Sequence, residues 1–223
     1  MNFFKLIDEE IKIAFDRDPA ARSKAQVFLL YPGVKALIHY RIAHYFEKKG
    51  HHFIADWISK RTRRKTGIEI HPAAQIGKGV FIDHGMGVVI GETAIVGDYC
   101  TIYQGVTLGG TGKDKGKRHP TIGKNVTIGS GAKVLGPFTV GDNSKIAANA
   151  VVLSEIPPNS TCVGVPAHIV KRDNKRIAPA KLGYMPIADL DQIHIPDPIS
   201  MELCRLEAEI KRLNKKLEEK KND

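Results

Sequence analysis

The chain has 223 residues, of which 42% are hydrophobic, and its 34 lysines and arginines exceed its 24 aspartates and glutamates by ten. This length and composition exclude a largely disordered chain and predict one or two domains with a buried core. The positive charge favours a polyanionic partner, which leaves nucleic acid, an acidic membrane surface and a phosphate-bearing cofactor open.

The cysteine content and the N-terminus exclude further classes. Cys100, Cys162 and Cys204 are too few and too widely spaced for a disulfide framework or a zinc site. The first 15 residues include three acidic ones at Asp8–Glu10, unlike a secretory signal. No uninterrupted apolar segment reaches the roughly 20 residues that a membrane helix needs. We therefore expect a soluble, cytoplasmic protein.

Residues 1–66 are predicted to form a helical domain, because apolar residues recur there at helical spacing, with Arg41 interrupting one otherwise apolar face. Asp18-Pro19 is predicted to begin a helix, with the proline in the first turn. Tyr31-Pro32-Gly33 and Gly50 are predicted to separate the segments that follow.

Residues 67–170 carry an aliphatic residue at every sixth position. Glycine directly follows many of these positions. Each six-residue unit of this kind makes one short strand and one corner, and three units close a triangular coil whose aliphatic side chains stack inside. The fourteen positions are Ile70, Ile76, Ile82, Val88, Ile90, Val96, Ile102, Leu108, Ile122, Ile128, Val134, Val140, Ile146 and Val152.

The repeat is interrupted twice, and solenoid proteins place functional insertions at such interruptions. The register of the six-residue repeat shifts between Val88 and Ile90, which are only two positions apart. From Leu108 to Ile122 there are fourteen positions instead of six, so eight residues within 109–121 must leave the prism as a loop. Because this loop is rich in glycine, lysine, arginine and histidine, which a structural coil does not need, we predict that it is functional.

The C-terminal part divides into two segments. Residues 171–198 contain four prolines and little periodicity, which predicts a linker. Residues 199–223 carry apolar residues at alternating spacings of four and three, which predicts a coiled-coil helix. A short helix packed on its own subunit is the alternative.

Several short motifs go beyond the repeat, and they lie in residues 18–170. They are Ile70-His71-Pro72-Ala73-Ala74, Asp83-His84-Gly85-Met86-Gly87, Gly91-Glu92-Thr93-Ala94, Leu108-Gly109-Gly110-Thr111-Gly112-Lys113, Arg118-His119-Pro120 and Gly164-Val165-Pro166-Ala167. Together they resemble serine acetyltransferase, a family of the hexapeptide-repeat acyltransferase superfamily. The resemblance implies a mainly β fold, a left-handed parallel β-helix that is an exception to right-handed crossovers, after an N-terminal helical domain.

The resemblance implies that His84 is the general base, which removes the serine hydroxyl proton as that oxygen attacks the thioester of acetyl-CoA. An alcohol is a poor nucleophile at neutral pH, and a positioned imidazole contributes on the order of 100- to 10,000-fold. The acidic partner of the histidine matches Glu69, one methylene longer than the aspartate of many relatives. A carboxylate there would fix the tautomer and stabilise the imidazolium.

The substrate contacts implied by the resemblance suit a zwitterion. Asp18 and Asp83 match residues that hold the serine ammonium, and Arg118 and His119 match those that hold its carboxylate. Selectivity for an amino acid needs carboxylates on one side and a guanidinium on the other.

The resemblance also implies that acetyl-CoA is the cosubstrate, bound in a groove between two neighbouring prisms. The matching residues are Gly110, Thr111, Ser130, Lys145 and Ala148. Small residues let backbone amides meet the pantetheine chain and the thioester oxygen, and the lysine would face the phosphates. The implied mechanism is direct transfer in a ternary complex, with no metal.

A homotrimer with active sites between subunits is implied as well. Larger relatives pair two trimers through a longer helical domain than the 66 residues found here, so we expect a trimer clasped by the C-terminal helices. Relatives dock into O-acetylserine sulfhydrylase through a C-terminal isoleucine, whereas this chain ends at Asp223, and we do not expect that complex. Inhibition by L-cysteine and a role in cysteine biosynthesis are implied by the resemblance alone.

Three alternatives remain open. Another hexapeptide O-acetyltransferase, acting on homoserine, a sugar or an antibiotic, would share the prism. A γ-class carbonic anhydrase would need three converging imidazoles, two of them close in sequence, whereas His71, His84 and His119 are well separated. A non-catalytic trimerisation or nucleic-acid module would use the positive charge but leaves the His84 motif and the loop without a role.

Overall fold

The computed structural model describes residues 3–110, 112, 115–173, 175–176, 205–206, 209–210 and 212. Helices α1 to α4 span Phe3–Arg17, Lys24–Leu30, Pro32–Lys48 and His52–Thr66. Strands β1 to β16 follow, at Glu69–Ile70, Gln75–Ile76, Phe81–Ile82, Val89–Ile90, Ile95–Val96, Thr101–Ile102, Thr107–Gly109, Thr121–Ile122, Thr127–Ile128, Lys133–Leu135, Thr139–Val140, Lys145–Ile146, Val151–Val152, Ser160–Val163, His168–Arg172 and Lys175–Arg176. No helix in these described ranges is long and apolar enough to cross a bilayer.

The segment around Asp18 differs from its sequence prediction. Asp18 follows the last turn of α1, and its carboxylate accepts the backbone N–H of Ala20 at 2.8 Å. Helix α2 is capped instead by Ser23, whose hydroxyl accepts the N–H of Gln26 at 3.1 Å. The predicted helix start at Asp18-Pro19 is therefore wrong, because Asp18 uses its side chain to close the turn between α1 and α2.

The junction between α2 and α3 brings the helices onto the β region. Tyr31-Pro32 separates the two helices as predicted, and the proline takes the first helical position. Gly33 lies inside α3, where an added Cβ would come within 2.0 Å of the carbonyl oxygen of Ile82. The glycine therefore lets the start of α3 touch β3, the strand that precedes Asp83 and His84.

The helices are also attached to the prism through Arg41, the polar residue on the apolar face of α3. Its guanidinium nitrogen Nη2 lies 2.7 Å from Oε1 of Glu10 and also donates to the carbonyl of Gly77, while Nη1 donates to the carbonyl of Ile76. Both side chains of the ion pair are buried. Burial raises the pKa of Glu10, and the Arg41 charge opposes that shift.

The strands wind as a triangular coil with three parallel faces. The first face has the order β1-β4-β7-β10-β13, and the second has β2-β5-β8-β11. The third has β3-β6-β9-β12-β14 and continues into β15 and β16. All fourteen aliphatic positions of the repeat are at most 8% exposed, so the predicted inward stack is confirmed.

The three edges of the prism differ in the residues that turn the chain. The His84 edge, between the third and first faces, carries Asp83 and His84. The loop edge, between the first and second faces, carries the segment that joins β7 to β8. The asparagine edge joins the second and third faces through Asn125, Asn143 and Asn159. These three residues have positive φ angles, and their side chains form a row that is linked by hydrogen bonds.

Both interruptions of the repeat lie at edges. On the His84 edge, Ile82 and Ile90 are eight positions apart, whereas the next pair of strands on this edge places Ile102 and Leu108 six apart. On the loop edge, β7 ends at Gly109 and β8 begins at Thr121. The two predicted insertions therefore leave the prism at two different edges.

The end of the prism differs from the predicted linker boundary at residue 171. Strand β15 runs through that position to Arg172, pairs antiparallel with β14 and is followed by β16. The hairpin covers the edge of the third face, whose backbone groups would otherwise be unpaired. Most of the predicted linker and coiled coil lies outside the described residues, while Arg205, Leu206, Glu209, Ile210 and Arg212 are helical.

Candidate active site

His84 lies on the two-residue insertion of the His84 edge. Its φ of 55° is in the left-handed region, and the flanking N–H of Asp83 donates to the carbonyl of Ile102 at 2.9 Å. The imidazole is exposed on its own subunit. The histidine is therefore available to a ligand approaching this edge.

Glu69, the predicted partner of His84, begins β1 beside the last turn of α4. Its carboxylate lies 3.3 Å from Nζ of Lys60 and 3.0 Å from Nη1 of Arg63. Within the described residues it makes no hydrogen bond to His84, so the predicted dyad is not formed in this subunit. The cause is local, since Lys60 and Arg63 in the second half of α4 present two cations to a half-buried carboxylate.

Asp18 and Asp83 are brought to the same region, around Tyr31. The hydroxyl of Tyr31 donates to Oδ2 of Asp18. This hydrogen bond, together with burial and the charges of Asp18 and Asp83, raises the pKa of Tyr31 to about 12. From the sequence, Tyr31 was predicted only to mark a helix boundary, because nothing in the local sequence ties it to an aspartate thirteen positions earlier.

Arg118 and His119 end the inserted loop on the loop edge. The guanidinium of Arg118 pairs with the carboxylate of Glu92, which lowers the pKa of that carboxyl mainly through this hydrogen bond. The backbone N–H groups of Arg118 and His119 both donate to Oγ1 of Thr93, at 3.0 and 3.1 Å. Glu92 and Thr93 are therefore further functional candidates, whose contacts join them to residues about 26 positions later and could not be inferred from the motif that contains them.

The His119 ring is packed into the prism corner. An added Cβ on Gly91 would lie 2.0 Å from the ring, and one on Gly110 would lie 3.3 Å from its Nε2. Burial, followed by the charge of Arg118, lowers the pKa of His119. The two glycines therefore provide the space in which an uncharged imidazole is held.

The predicted cofactor residues lie on two edges. Gly110 is on the loop edge, and Thr111 lies outside the described residues. Ser130 and Ala148 are on the His84 edge, where the carbonyl of Ser130 accepts the N–H of Asn149 at 2.7 Å. Lys145 is exposed on β12. Among the described cofactor candidates, Gly110 is therefore on a different edge from Ser130 and Ala148.

Metal and thiol chemistry have little support in the described residues. No group of three His, Cys, Asp or Glu side chains there could hold a metal ion. Nδ1 of His71 accepts the N–H of Ala73 at 3.1 Å in its own corner. Burial raises the pKa of Cys100 to about 11 and that of Cys162 to about 12. Neither thiol is activated as an acyl carrier.

Comparison with known proteins identifies relatives along most of the chain. The family model described as bacterial transferase hexapeptide (six repeats) matches residues 119–154. The serine acetyltransferase of Bacillus pumilus is 51% identical over 215 residues, which are 96% of this chain and 95% of the relative.

Solved structures of relatives share the fold. The serine acetyltransferase of Neisseria gonorrhoeae in complex with serine is 41% identical with a TM-score of 0.74, over 76% of this chain and 69% of that one. The enzyme of Brucella abortus in complex with coenzyme A is 44% identical with a TM-score of 0.75, over 76% of this chain and 68% of that one. The predicted left-handed parallel β-helix with N-terminal helices is thereby confirmed. With half of its residues identical to a relative along nearly its whole length, this chain belongs to the serine acetyltransferase family.

Proposed function

We propose that the protein is a serine O-acetyltransferase, which transfers the acetyl group of acetyl-CoA to the hydroxyl of L-serine. The observation that carries the proposal is the exposed His84 on one insertion and the Arg118-His119 pair on the other, in a chain of this family. The products are O-acetylserine and coenzyme A.

His84 takes the proton of the serine hydroxyl while the oxygen attacks the thioester carbonyl. The tetrahedral intermediate then collapses with cleavage of the C–S bond, and the proton on His84 passes to the departing thiolate. Acetyl transfer is direct, and the imidazole returns to its neutral form, ready for another turnover. Glu69 is the acidic partner in this proposal, and its carboxylate must leave Lys60 and Arg63 to reach His84.

Serine is recognised by its two charges. Asp18 and Asp83, which both act on Tyr31, bind the ammonium. Arg118 and the neutral His119 bind the carboxylate, the first by charge and the second by an Nε2–H donor. Cysteine differs from serine only in having sulfur in place of oxygen, so we propose that it competes for this pocket.

Acetyl-CoA lies between neighbouring prisms of a trimer in this proposal. The support is that Gly110 is on the loop edge, whereas Ser130, Ala148 and His84 are on the His84 edge. Two edges of one prism cannot face the same groove, but edges of two adjacent prisms can. We assign the enzyme to the cytoplasm and to the supply of O-acetylserine for cysteine biosynthesis.

Thiol release from acetyl-CoA, measured with serine, homoserine and a galactoside in parallel, tests the substrate. We expect turnover with serine and at most traces with the others. His84→Ala should lower kcat by about 100-fold or more, whereas His168→Ala, at an exposed histidine of β15, should leave it unchanged.

Preference for homoserine or a sugar would replace the substrate assignment by another acetyltransferase. Full activity of His84→Ala would remove the proposed base. Bound zinc in the purified protein, together with carbonate dehydration, would favour the carbonic anhydrase alternative.

A further inference from the structure

We propose that Thr93 is a positioning residue that holds His119 as a neutral hydrogen-bond donor, with Arg118 beside it, and thereby sets the affinity for the carboxylate of the amino-acid substrate. This inference deepens the proposed function and rests on it. Thr93 lies on the loop edge between β4 and β5, 26 positions before His119.

Thr93 binds three consecutive residues at the end of the inserted loop. Its Oγ1 accepts the N–H groups of Arg118 at 3.0 Å and His119 at 3.1 Å, and its carbonyl accepts Nζ of Lys117 at 2.7 Å. The loop is therefore tied back to the prism immediately before it rejoins β8 at Thr121. A single residue of the preceding coil determines where the loop ends.

The same residue fixes the tautomer of His119. The backbone N–H of Thr93 lies 3.2 Å from Nδ1 of His119, and Oγ1 of Thr93 lies 2.9 Å from it. Because a backbone N–H can only donate, Nδ1 is an acceptor, and the proton of the neutral ring is on Nε2. The Thr93 hydroxyl then accepts two N–H groups and donates its own proton to Nδ1, which uses its full hydrogen-bonding capacity.

The surroundings of His119 favour this neutral form. The residue is 8% exposed, and Gly91 and Gly110 leave space only for the ring itself. Arg118 places a positive charge beside the ring, which opposes a second one there. His119 consequently has one donor, Nε2–H, in the corner that Gly91 and Gly110 line.

The role of the Thr93 hydroxyl can be tested by a substitution that removes it without changing the shape of the side chain. Thr93→Val keeps the side-chain volume but leaves two N–H groups without their acceptor. Thr93→Ser keeps the hydroxyl. Thr139→Val is the matched control, since Thr139 is an exposed threonine of β11 on the second face.

Steady-state kinetics of the wild type and these three variants test the proposal. We expect Thr93→Val to raise KM for serine about tenfold or more, with kcat changed less than about threefold, because the substrate contacts are displaced while His84 is intact. Thr93→Ser and Thr139→Val should remain within about twofold of the wild type. A KM for serine unchanged in Thr93→Val, or an equally raised one in Thr93→Ser, would overturn the proposal.

The tautomer of the wild-type enzyme gives a second, independent test. Nitrogen-15 NMR of histidine-labelled protein at pH 7.5, with the His119 signals assigned by their loss in His119→Gln, should show a neutral ring protonated at Nε2. A cationic ring or an Nδ1–H tautomer would overturn the proposal even if Thr93→Val failed to fold. Absence of serine turnover in the wild type would instead refute the proposed function, and the NMR result would still stand.

Discussion

At the residue scale, Tyr31 orients Asp18, one of the two residues proposed to bind the serine ammonium. Its hydroxyl donates to Oδ2 of Asp18, while Oδ1 accepts the N–H of Ala20 at 2.8 Å. The carboxylate is thus oriented from two sides and keeps its remaining lone pairs for a ligand. With a pKa of about 12, the phenol keeps its proton throughout the range in which an enzyme assay is run.

We predict that Tyr31→Phe raises KM for serine by about three- to tenfold, because Asp18 loses the hydrogen bond that orients it. The ratio to wild type should be the same at pH 7 and pH 9, since Tyr31 does not titrate between them. Tyr45→Phe, at an exposed tyrosine of α3, is the control and should have no effect. A change confined to kcat would show that Tyr31 acts elsewhere.

Residue types could be predicted at this scale, but their partners could not. The motifs named Asp83, His84, Arg118 and His119, and the structure places these in two pairs on two edges. The contacts that orient them join residues far apart in sequence, as Thr93 does with His119. Such contacts arise because successive coils stack on one another, and no local sequence pattern specifies which residues of two coils will meet. For Glu69, the structure shows ion pairs with Lys60 and Arg63 of α4 where a contact to His84 was predicted.

At the scale of secondary-structure elements, one buried ion pair helps to attach the helical region to the prism. The side chain of Arg41 in α3 is 9% exposed and that of Glu10 in α1 is fully buried, and Arg41 also donates to the carbonyls of Ile76, the last residue of β2, and Gly77 after it. Two helices and a strand therefore meet at one guanidinium. Because Glu10 depends on Arg41 for its only ionic partner among the described residues, removal of the arginine leaves a buried charge unpaired.

We predict that Arg41→Met lowers the free energy of unfolding by about 3 to 5 kcal/mol, which is the usual cost of breaking a buried pair. Adding Glu10→Gln to this variant should restore part of the loss, because the amide carries no charge. Urea unfolding at equal protein concentration measures both. Arg64→Met, at an exposed site in the last turn of α4, is the control, and a loss below about 1 kcal/mol for Arg41→Met would contradict the role given to the pair.

The strands of the prism were predictable because each six-residue unit places one aliphatic side chain inside the prism, so the spacing in the sequence reports the packing directly. Every aliphatic position of the repeat fills the interior. The hairpin of β15 and β16 was not predictable in this way, because it covers the last coil without contributing to the repeat. Arg41 was visible as an interruption, although its partner Glu10 lies on another helix.

At the scale of the whole molecule, the two sets of proposed functional residues lie on different edges of one prism. His84 and Asp83 lie where the third face meets the first, and Arg118 and His119 lie where the first meets the second. In the proposed mechanism, the general base and the carboxylate site must both contact one serine, a molecule only a few bonds long. The separation is therefore the strongest argument for a site shared by neighbouring subunits, which the family resemblance implied and which the residue pattern of one chain does not specify.

Subunit mixing tests this shared site. His84→Ala and Arg118→Ala should each be nearly inactive at low serine concentration, the first for lack of the base and the second for lack of the carboxylate contact. In trimers formed at random from equal amounts of both, about one quarter of the interfaces should combine an intact His84 with an intact Arg118 from the neighbour. Co-refolding should consequently restore about one quarter of wild-type activity. If each subunit held a complete site, every copy would remain defective, and mixing would restore nothing.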